Sequence, residues 1–335
     1  MGSAKATNNS GLAFFSDYVY AGRRALVTGS TGFIGRWVAR RLQDAGAQTF
    51  LASRSGEALR RSAAEYALKG EHIVADFAVP GTVNRVLNQV RPDVVFNLAG
   101  YGVDPVERDP RVAEAVNVRV VEEFVSALHR ADSDFPGHRF VQAGSAAEYG
   151  PVADEVIESS ATAPVSLYGK TKLLATQIVT AATLGGLRAV TARLFTVYGP
   201  GEHPHRLLPS LLHAASNGTQ LALSRGDQRR DFTYVAEVAE GLIRLGAISG
   251  ATAPVLNLAT GRLTSVREFA ECAADVLNLD RRQLRFGEAP CYAEEVQQAQ
   301  ANISLLCATL GWAPSLSVSE GVRKTVEFYS RKCPT

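Results

Sequence analysis

The stretch Arg24-Ala-Leu-Val-Thr-Gly-Ser-Thr-Gly-Phe-Ile-Gly35 decides the fold. Its apolar run at 25–27 reads as a buried parallel strand, and the turn after it runs straight into the helical spacing of Phe33, Val38 and Leu42. Strand, glycine turn and helix in that order form a phosphate cradle. Gly29 and Gly32 allow a tight bend and a close approach to a pyrophosphate, while Gly35 lets the helix pack on the strand. The helix start adds unpaired N–H groups at the positive end of its dipole. A glycine turn alone is ordinary loop geometry. The flanking strand and helix make this one a dinucleotide site, with Thr31, Phe33 and Ile34 joining the three glycines as expected contacts.

Outward from the turn, a helix to about residue 46 leads to a second apolar strand at 48–52 and then Ser53-Arg54. In a dinucleotide fold, an acid some 20 residues past the glycines bonds the adenosine ribose and repels a 2′-phosphate. Ser53 stands there instead, and the guanidinium of Arg54 can grip a phosphate through two parallel hydrogen bonds. The cofactor reading is NADP(H) preferred, with NAD(H) possible; the plainer alternative is that Arg54 only faces solvent. A third strand at 72–75 ends at Asp76-Phe77, where the acid faces either the adenine amino group or water. A fourth at 93–97 ends in Leu98-Ala99-Gly100, small enough for the chain to pass close under a cofactor. Leu194, at the end of a later strand, completes the expected cofactor set.

Strands alternating with helices predict an α/β chain: a Rossmann-type doubly wound parallel sheet with a smaller C-terminal α/β substrate-binding domain. The expected division is an N-terminal extension at 1–20, a nucleotide domain at 21–195 plus about 230–262, and a substrate domain at 196–229 plus 263–330. In the extension, Phe14, Phe15, Tyr18 and Tyr20 read as aromatics that dock on the body.

With 46% apolar and 20% charged residues, the 335-residue chain can bury a full core. A net charge of +2 leaves no excess for nonspecific nucleic-acid or membrane binding. Cys272, Cys291, Cys307 and Cys333 lie far apart without a C-x-x-C, which points to neither zinc nor a redox pair and fits a reducing compartment. Without an apolar run of roughly 20 residues or a leader-like N-terminus, the expected location is the cytoplasm. His203-Pro-His205 lacks an evident third ligand, so no metal is expected.

The chemistry sits further on. A fifth strand at 139–143 runs into Gly144-Ser145-Ala-Ala-Glu-Tyr-Gly150, and a helix opens at Tyr168-Gly-Lys-Thr-Lys172. Tyr168 and Lys172, four apart, share one helix face about 6 Å apart along the axis. A lysine so placed favours phenolate and lowers a tyrosine pKa. Such a pair, with a strand-end serine, suits proton transfer at a carbinol or carbonyl oxygen beside a hydride donor.

Thr28-Gly29-x-x-Gly32-x-x-Gly35, Asn97-Leu-Ala-Gly100, Ser145 and Tyr168-x-x-x-Lys172 together resemble the extended short-chain dehydrogenase/reductase family over nearly the whole chain from residue 22. The resemblance implies Ser145 as the hydrogen-bonding serine, Tyr168 as general acid/base and Lys172 as pKa modifier and nicotinamide-ribose ligand. Asn117 matches a supporting asparagine. Residues 193–201 and 226–235 resemble the nucleotide-diphosphate-sugar subgroup. This implies a nucleotide-diphosphate-sugar substrate, with Arg230 facing the diphosphate, Leu208 near the nucleotide, and Ala146 and Thr196 beside the substrate. Thr196 replaces the subgroup's usual asparagine, and the stretch at 291–295 lacks an arginine that many relatives place there.

Relatives that dehydrate across C5 and C6 carry an Asp-Glu pair after the serine, and C3/C5 epimerases a cysteine; this chain has Ala146 and Ala147. What remains is reduction of a sugar C4 ketone or 4-epimerisation through a transient ketone. Ser53-Arg54 tips the expectation to an NADPH-dependent reductase of a 4-keto-6-deoxyhexose. A 4-epimerase, a noncatalytic NADP-binding sensor and a reductase of a non-nucleotide ketone are the alternatives. The resemblance also implies a homodimer.

Overall fold

The computed structural model describes residues 17–103, 106–152, 154–250, 252–290 and 298–331. Phe14, Phe15, Cys291, Cys333 and the 291–295 stretch lie outside them.

The first strand expected from the sequence is β1 (Arg24–Thr28), followed by β2 (Gln48–Ser53), β3 (Glu71–Val74), β4 (Val94–Asn97), β5 (Phe140–Ser145) and β6 (Ala189–Leu194). With a late strand, β11 (Val255–Leu258), they form one parallel seven-stranded sheet in the order β11-β6-β5-β4-β1-β2-β3. Chain direction across the sheet reverses between β1 and β4, and at such a crossing the loops diverge and leave a crevice at the strand ends.

Both faces of the sheet are covered, which is why its strands read as unbroken apolar runs rather than alternating ones. The pleat sends Ala25, Val27, Val94 and Phe96 to one face, where they pack against α1 (Phe33–Asp44), α2 (Gly56–Tyr66) and α8 (Val235–Ala247). Leu26, Phe50, Val95 and Phe140 point to the other, under α3 (Thr82–Val90), α5 (Val120–Arg130) and α6 (Leu167–Leu184). The short α4 (Pro110–Glu114) joins α5 through a π-helical turn, Ala115–Arg119.

Between β6 and β11 the chain adds β7 (Thr196–Tyr198), α7 (Leu207–Asn217), β8 (Leu221–Leu223), β9 (Arg229–Arg230) and β10 (Phe232–Tyr234). After β11 come β12 (Thr264–Ser265), α9 (Val266–Leu277), β13 (Leu284–Phe286), α10 (Ser304–Leu310) and α11 (Val318–Ser330). Three two-stranded pairs, β7 with β10, β8 with β13 and β9 with β12, bring these segments together. Tyr198, Leu208, Leu211, Phe232 and Phe269 close a separate apolar core there, with the Phe232 and Phe269 rings 4.3 Å apart.

Of the N-terminal aromatics, Tyr20 is fully buried and donates to the Ile243 carbonyl at 2.7 Å, whereas Tyr18 stands in solvent. No helix among the described residues is long and apolar enough to cross a membrane.

Candidate active site

The glycine turn sits at the C-terminal end of β1, at the crevice. Gly29 has φ +62°, and a Cβ there would lie 2.7 Å from the Leu98 carbonyl oxygen and 2.8 Å from the Ala99 nitrogen. A Cβ on Gly35 would lie 2.2 Å from the Gly29 oxygen. Gly29 is thus required by its left-handed backbone and by the end of β4 pressed against it, a packing reason that the pyrophosphate reading lacked. Gly32 is the exposed cap residue of α1 and no side chain caps that helix, so its first-turn amides at 33–35 stay available. An uncapped N-terminus at a crevice fits a pyrophosphate.

Buried polar groups stitch the strand ends together. Thr28 Oγ1 donates to Asn97 Oδ1 at 2.6 Å and accepts from the Leu98 and Ala99 amides, both at 3.2 Å. Asn97 Nδ2 donates to Gln142 Oε1 at 2.7 Å on β5. The motifs contain Thr28 and Asn97, but their spacing does not reveal that they bond each other.

At the adenosine end the Thr31 and Ser53 hydroxyls are 3.0 Å apart. Arg54 is exposed, with no ion pair or hydrogen bond to another described residue. Asp76 is exposed and its Oδ1 accepts the Ala78 amide at 3.0 Å, a local turn rather than a core bond. The Phe77 side chain is in the core, 5.6 Å from the Phe124 ring, which leaves only its main chain for a ligand.

Ser145 ends β5 in register with Leu194 on β6. Its Oγ accepts the Ala147 amide at 3.2 Å, capping a 3-10 turn that begins at Ala146. Ser166 caps α6, so Tyr168 occupies the first turn and Lys172 the second. The Ser145 side chain is near enough to the Tyr168 phenol to favour its ionised form. Lys172 Nζ lies 5.7 Å from the centre of the Tyr168 ring and donates to the Ala143 carbonyl at 2.9 Å. A Cβ on Gly100 would be 3.5 Å from Nζ, so the small residues after β4 border the same pocket. Asn117, in the π-helical turn, accepts the Tyr101 amide and donates to the Tyr101 carbonyl and Thr171 Oγ1. Its partners belong to the protein: Asn117 braces the β4 loop against α6. A π turn at such a place is a common way to aim one side chain inward.

Burial pushes the Tyr168 hydroxyl up to about 12, against the nearby Ser145 side chain and the Arg206 charge that pull it down. Burial likewise pushes the Lys172 ammonium down to about 8, with Glu148 resisting. The sequence reading has Lys172 lowering the tyrosine; in the folded chain burial is the largest influence on Tyr168 and raises it.

The substrate-side residues are spread along the second lobe. Thr196 donates its amide to the Asp231 carbonyl at 2.9 Å. The Leu208 side chain is buried in the second core, so contact with a ligand falls to its main chain. Arg230 is half-buried rather than buried and donates to the Arg229 carbonyl. Its neighbour Asp231 is fully buried: Oδ1 accepts from Thr233 Oγ1 and from the Thr260 amide and hydroxyl, and Oδ2 from the Arg262 amide. This carboxylate ties the Arg230 strand to the turn after β11, a role no local pattern announces. Glu202, also missed, is a buried carboxyl that burial raises to about 7, with Arg206 3.5 Å away. The described residues hold no cluster of three or more side chains suited to a metal.

Comparison with known proteins shows the family and the fold. Residues 25–259 match the NAD dependent epimerase/dehydratase family. The dTDP-6-deoxy-L-talose 4-dehydrogenase (NAD(P)(+)) of Kitasatospora kifunensis is 29% identical over 90% of this chain and 94% of its own length. A UDP-glucose 4-epimerase of Mycolicibacterium smegmatis is 27% identical over 92% of this chain and 99% of its own. The structure of MoeE5 in complex with UDP-glucuronic acid and NAD superposes with a TM-score of 0.78 at 27% identity, covering 92% of this chain and 99% of that one. The match over residues 25–259, with the parallel sheet it accompanies, makes this an NAD(P)-dependent nucleotide-sugar enzyme of the extended short-chain dehydrogenase/reductase type, and the chain belongs to the NAD dependent epimerase/dehydratase family.

Proposed function

We propose that the protein is an NADPH-dependent reductase of the C4 ketone of a nucleotide-linked 4-keto-6-deoxyhexose. The observation that carries the reductase reading is the end of β2. Ser53 there bonds Thr31 instead of presenting an acid, and the exposed Arg54 beside it supplies a guanidinium that could pair with a 2′-phosphate. The relative from Kitasatospora, named for dehydrogenation at C4 of a 6-deoxysugar nucleotide with NAD(P)(+), supports the same chemistry in the oxidative direction.

A bound reduced nicotinamide supplies the hydride. Ser145 donates to the ketone oxygen and polarises it, while Tyr168, at about 12 in this pocket, is protonated at neutral pH and gives up its proton as the alkoxide forms. The nearby Lys172 ammonium stabilises the phenolate left behind. Arg230 anchors the diphosphate, with Thr196 and Ala146 beside the sugar. The chain divides into the nucleotide and substrate domains set out above. It works as a homodimer in which α5 and α6 pair across subunits, and Leu174 and Leu184 are exposed on α6.

The test is nicotinamide oxidation by purified protein with a panel of nucleotide 4-keto-6-deoxysugars, generated in place by a 4,6-dehydratase. Stoichiometric NADPH oxidation with one nucleotide supports the reading. No oxidation, with NAD released on denaturation, would replace it by the 4-epimerase reading, which the Mycolicibacterium relative favours.

A further inference from the structure

A buried ion pair lies directly behind the catalytic serine. The Glu148 and Arg193 side chains are 0% and 5% exposed, and Arg193 Nε donates to Glu148 Oε2 at 2.8 Å. The other carboxylate oxygen, Oε1, accepts the Ser145 main-chain amide at 2.8 Å. Arg193 is itself fixed. Its Nη1 donates to the Glu158 carbonyl at 3.0 Å, and its guanidinium lies 4.5 Å from the centre of the Tyr149 ring. The Tyr149 hydroxyl donates to Asn257 Oδ1 at 2.7 Å, and the Asn257 amide donates to the Glu158 carboxylate at 2.9 Å. Space is kept for the carboxylate: a Cβ on Gly144 would sit 2.8 Å from Glu148 Oε1.

Desolvating two charges costs as much as their attraction returns, so an apolar pair of the same shape would serve stability equally well. What an apolar pair would not supply is a fixed negative charge and an acceptor aimed at Ser145. The groups around Lys172 are Glu148 on the turn after β5, Tyr168 on α6, the Ala143 carbonyl on β5 and Asn117 near Gly100. Around Tyr168 are Ser145, Glu148, Arg206 and Glu107. Among the described residues Glu148 is the charge that acts on Lys172 against burial; burial raises the Glu148 carboxyl, and the paired Arg193 guanidinium, on β6, pulls it back down toward the charged form.

We propose that Glu148 is a positioning residue: clamped by Arg193, it fixes the Ser145 main chain and holds a negative charge beside Lys172, so that the lysine enters the reaction as an ammonium. The proposal rests on the catalytic reading of Ser145, Tyr168 and Lys172.

Glu148→Gln keeps the shape and the acceptor for Ser145 but removes the charge. The alkaline limb of the pH profile for single-turnover hydride transfer should then move acidward by about one pH unit, a loss of about tenfold at a pH on that limb. KM for the sugar nucleotide should change by no more than about threefold. A pair that is merely structural would lower the melting temperature and leave the limb in place, and that result overturns the proposal. Glu148→Ala, which also removes the acceptor, should speed hydrogen exchange at the Ser145 amide while 140–143 stay protected; unchanged exchange overturns the clamp. If the single variants do not fold, Glu148→Gln with Arg193→Met removes both charges at similar shape and carries the same pH measurement. A wild type that turns over no sugar nucleotide would defeat the functional reading, and Ser145 exchange would still decide the clamp.

Discussion

Lys172 is 4% exposed, and its ammonium is held in a pocket that lowers its pKa from 10.5 to about 8. At roughly 1.4 kcal/mol per pH unit, that gap means the folded protein carries a cost of about 3 kcal/mol for keeping the lysine charged below pH 8. Lys172→Met removes the charge at similar length. The Ala143 carbonyl that loses the Nζ donor still accepts from Gln142 Nε2 at 3.0 Å, so no buried acceptor is orphaned. The lost charged hydrogen bond offsets about 1–2 kcal/mol, leaving the variant more stable at pH 7 by about 2 kcal/mol. Between pH 8 and 10.5 the unfolded chain binds more protons here than the folded one, so wild-type stability rises with pH across that window and the variant's does not. The two urea-unfolding curves should therefore differ at pH 7 and converge near pH 10. Turnover should fall in the same variant, since the phenolate loses its counter-charge. A variant less stable than wild type at pH 7, or a difference that does not shrink with pH, would refute the reasoning.

Tyr168→Phe should lower turnover about 100-fold or more while nicotinamide fluorescence reports nearly unchanged dinucleotide binding; a sensor would keep its function. Gly29→Ala forces a Cβ to 2.7 Å from the Leu98 oxygen at φ +62°, and should cost about 2 kcal/mol or more in urea unfolding. Glu202 has a folded pKa raised from 4.5 to about 7, so the folded state binds more protons between those values and loses stability as pH rises through them. Glu202→Gln should be the more stable protein at pH 8 by about 2–3 kcal/mol and equal to wild type at pH 4, read from thermal melts. Arg54→Ser should raise KM for NADPH about tenfold and leave KM for NADH in place, the loss of one charge-assisted contact; equal effects on both would remove Arg54 from the 2′-phosphate.

The sequence alone was enough for the parallel sheet, the turn at 28–35, and Tyr168 with Lys172, because each is a local periodicity. Apolar runs bounded by glycine mark buried strands, and a four-residue interval marks one helix face, whatever the rest of the chain does. It also located Ser145, Asn117 and the Ser53-Arg54 pair as positions along those elements. Their partners were beyond its reach. Gly29 owes its identity to Leu98 and Ala99, Glu148 meets Arg193 across 45 residues of chain, and Asp231 binds the turn at 260–262. Phe77 and Leu208 fall within motifs yet send their side chains into cores. Lys172 lies where spacing puts it, but its charge is governed by burial and by Glu148. Spacing specifies which way a side chain leaves its own helix or strand, whereas desolvation and long-range pairing exist only once the strands have closed into one sheet and the second lobe has packed beside it.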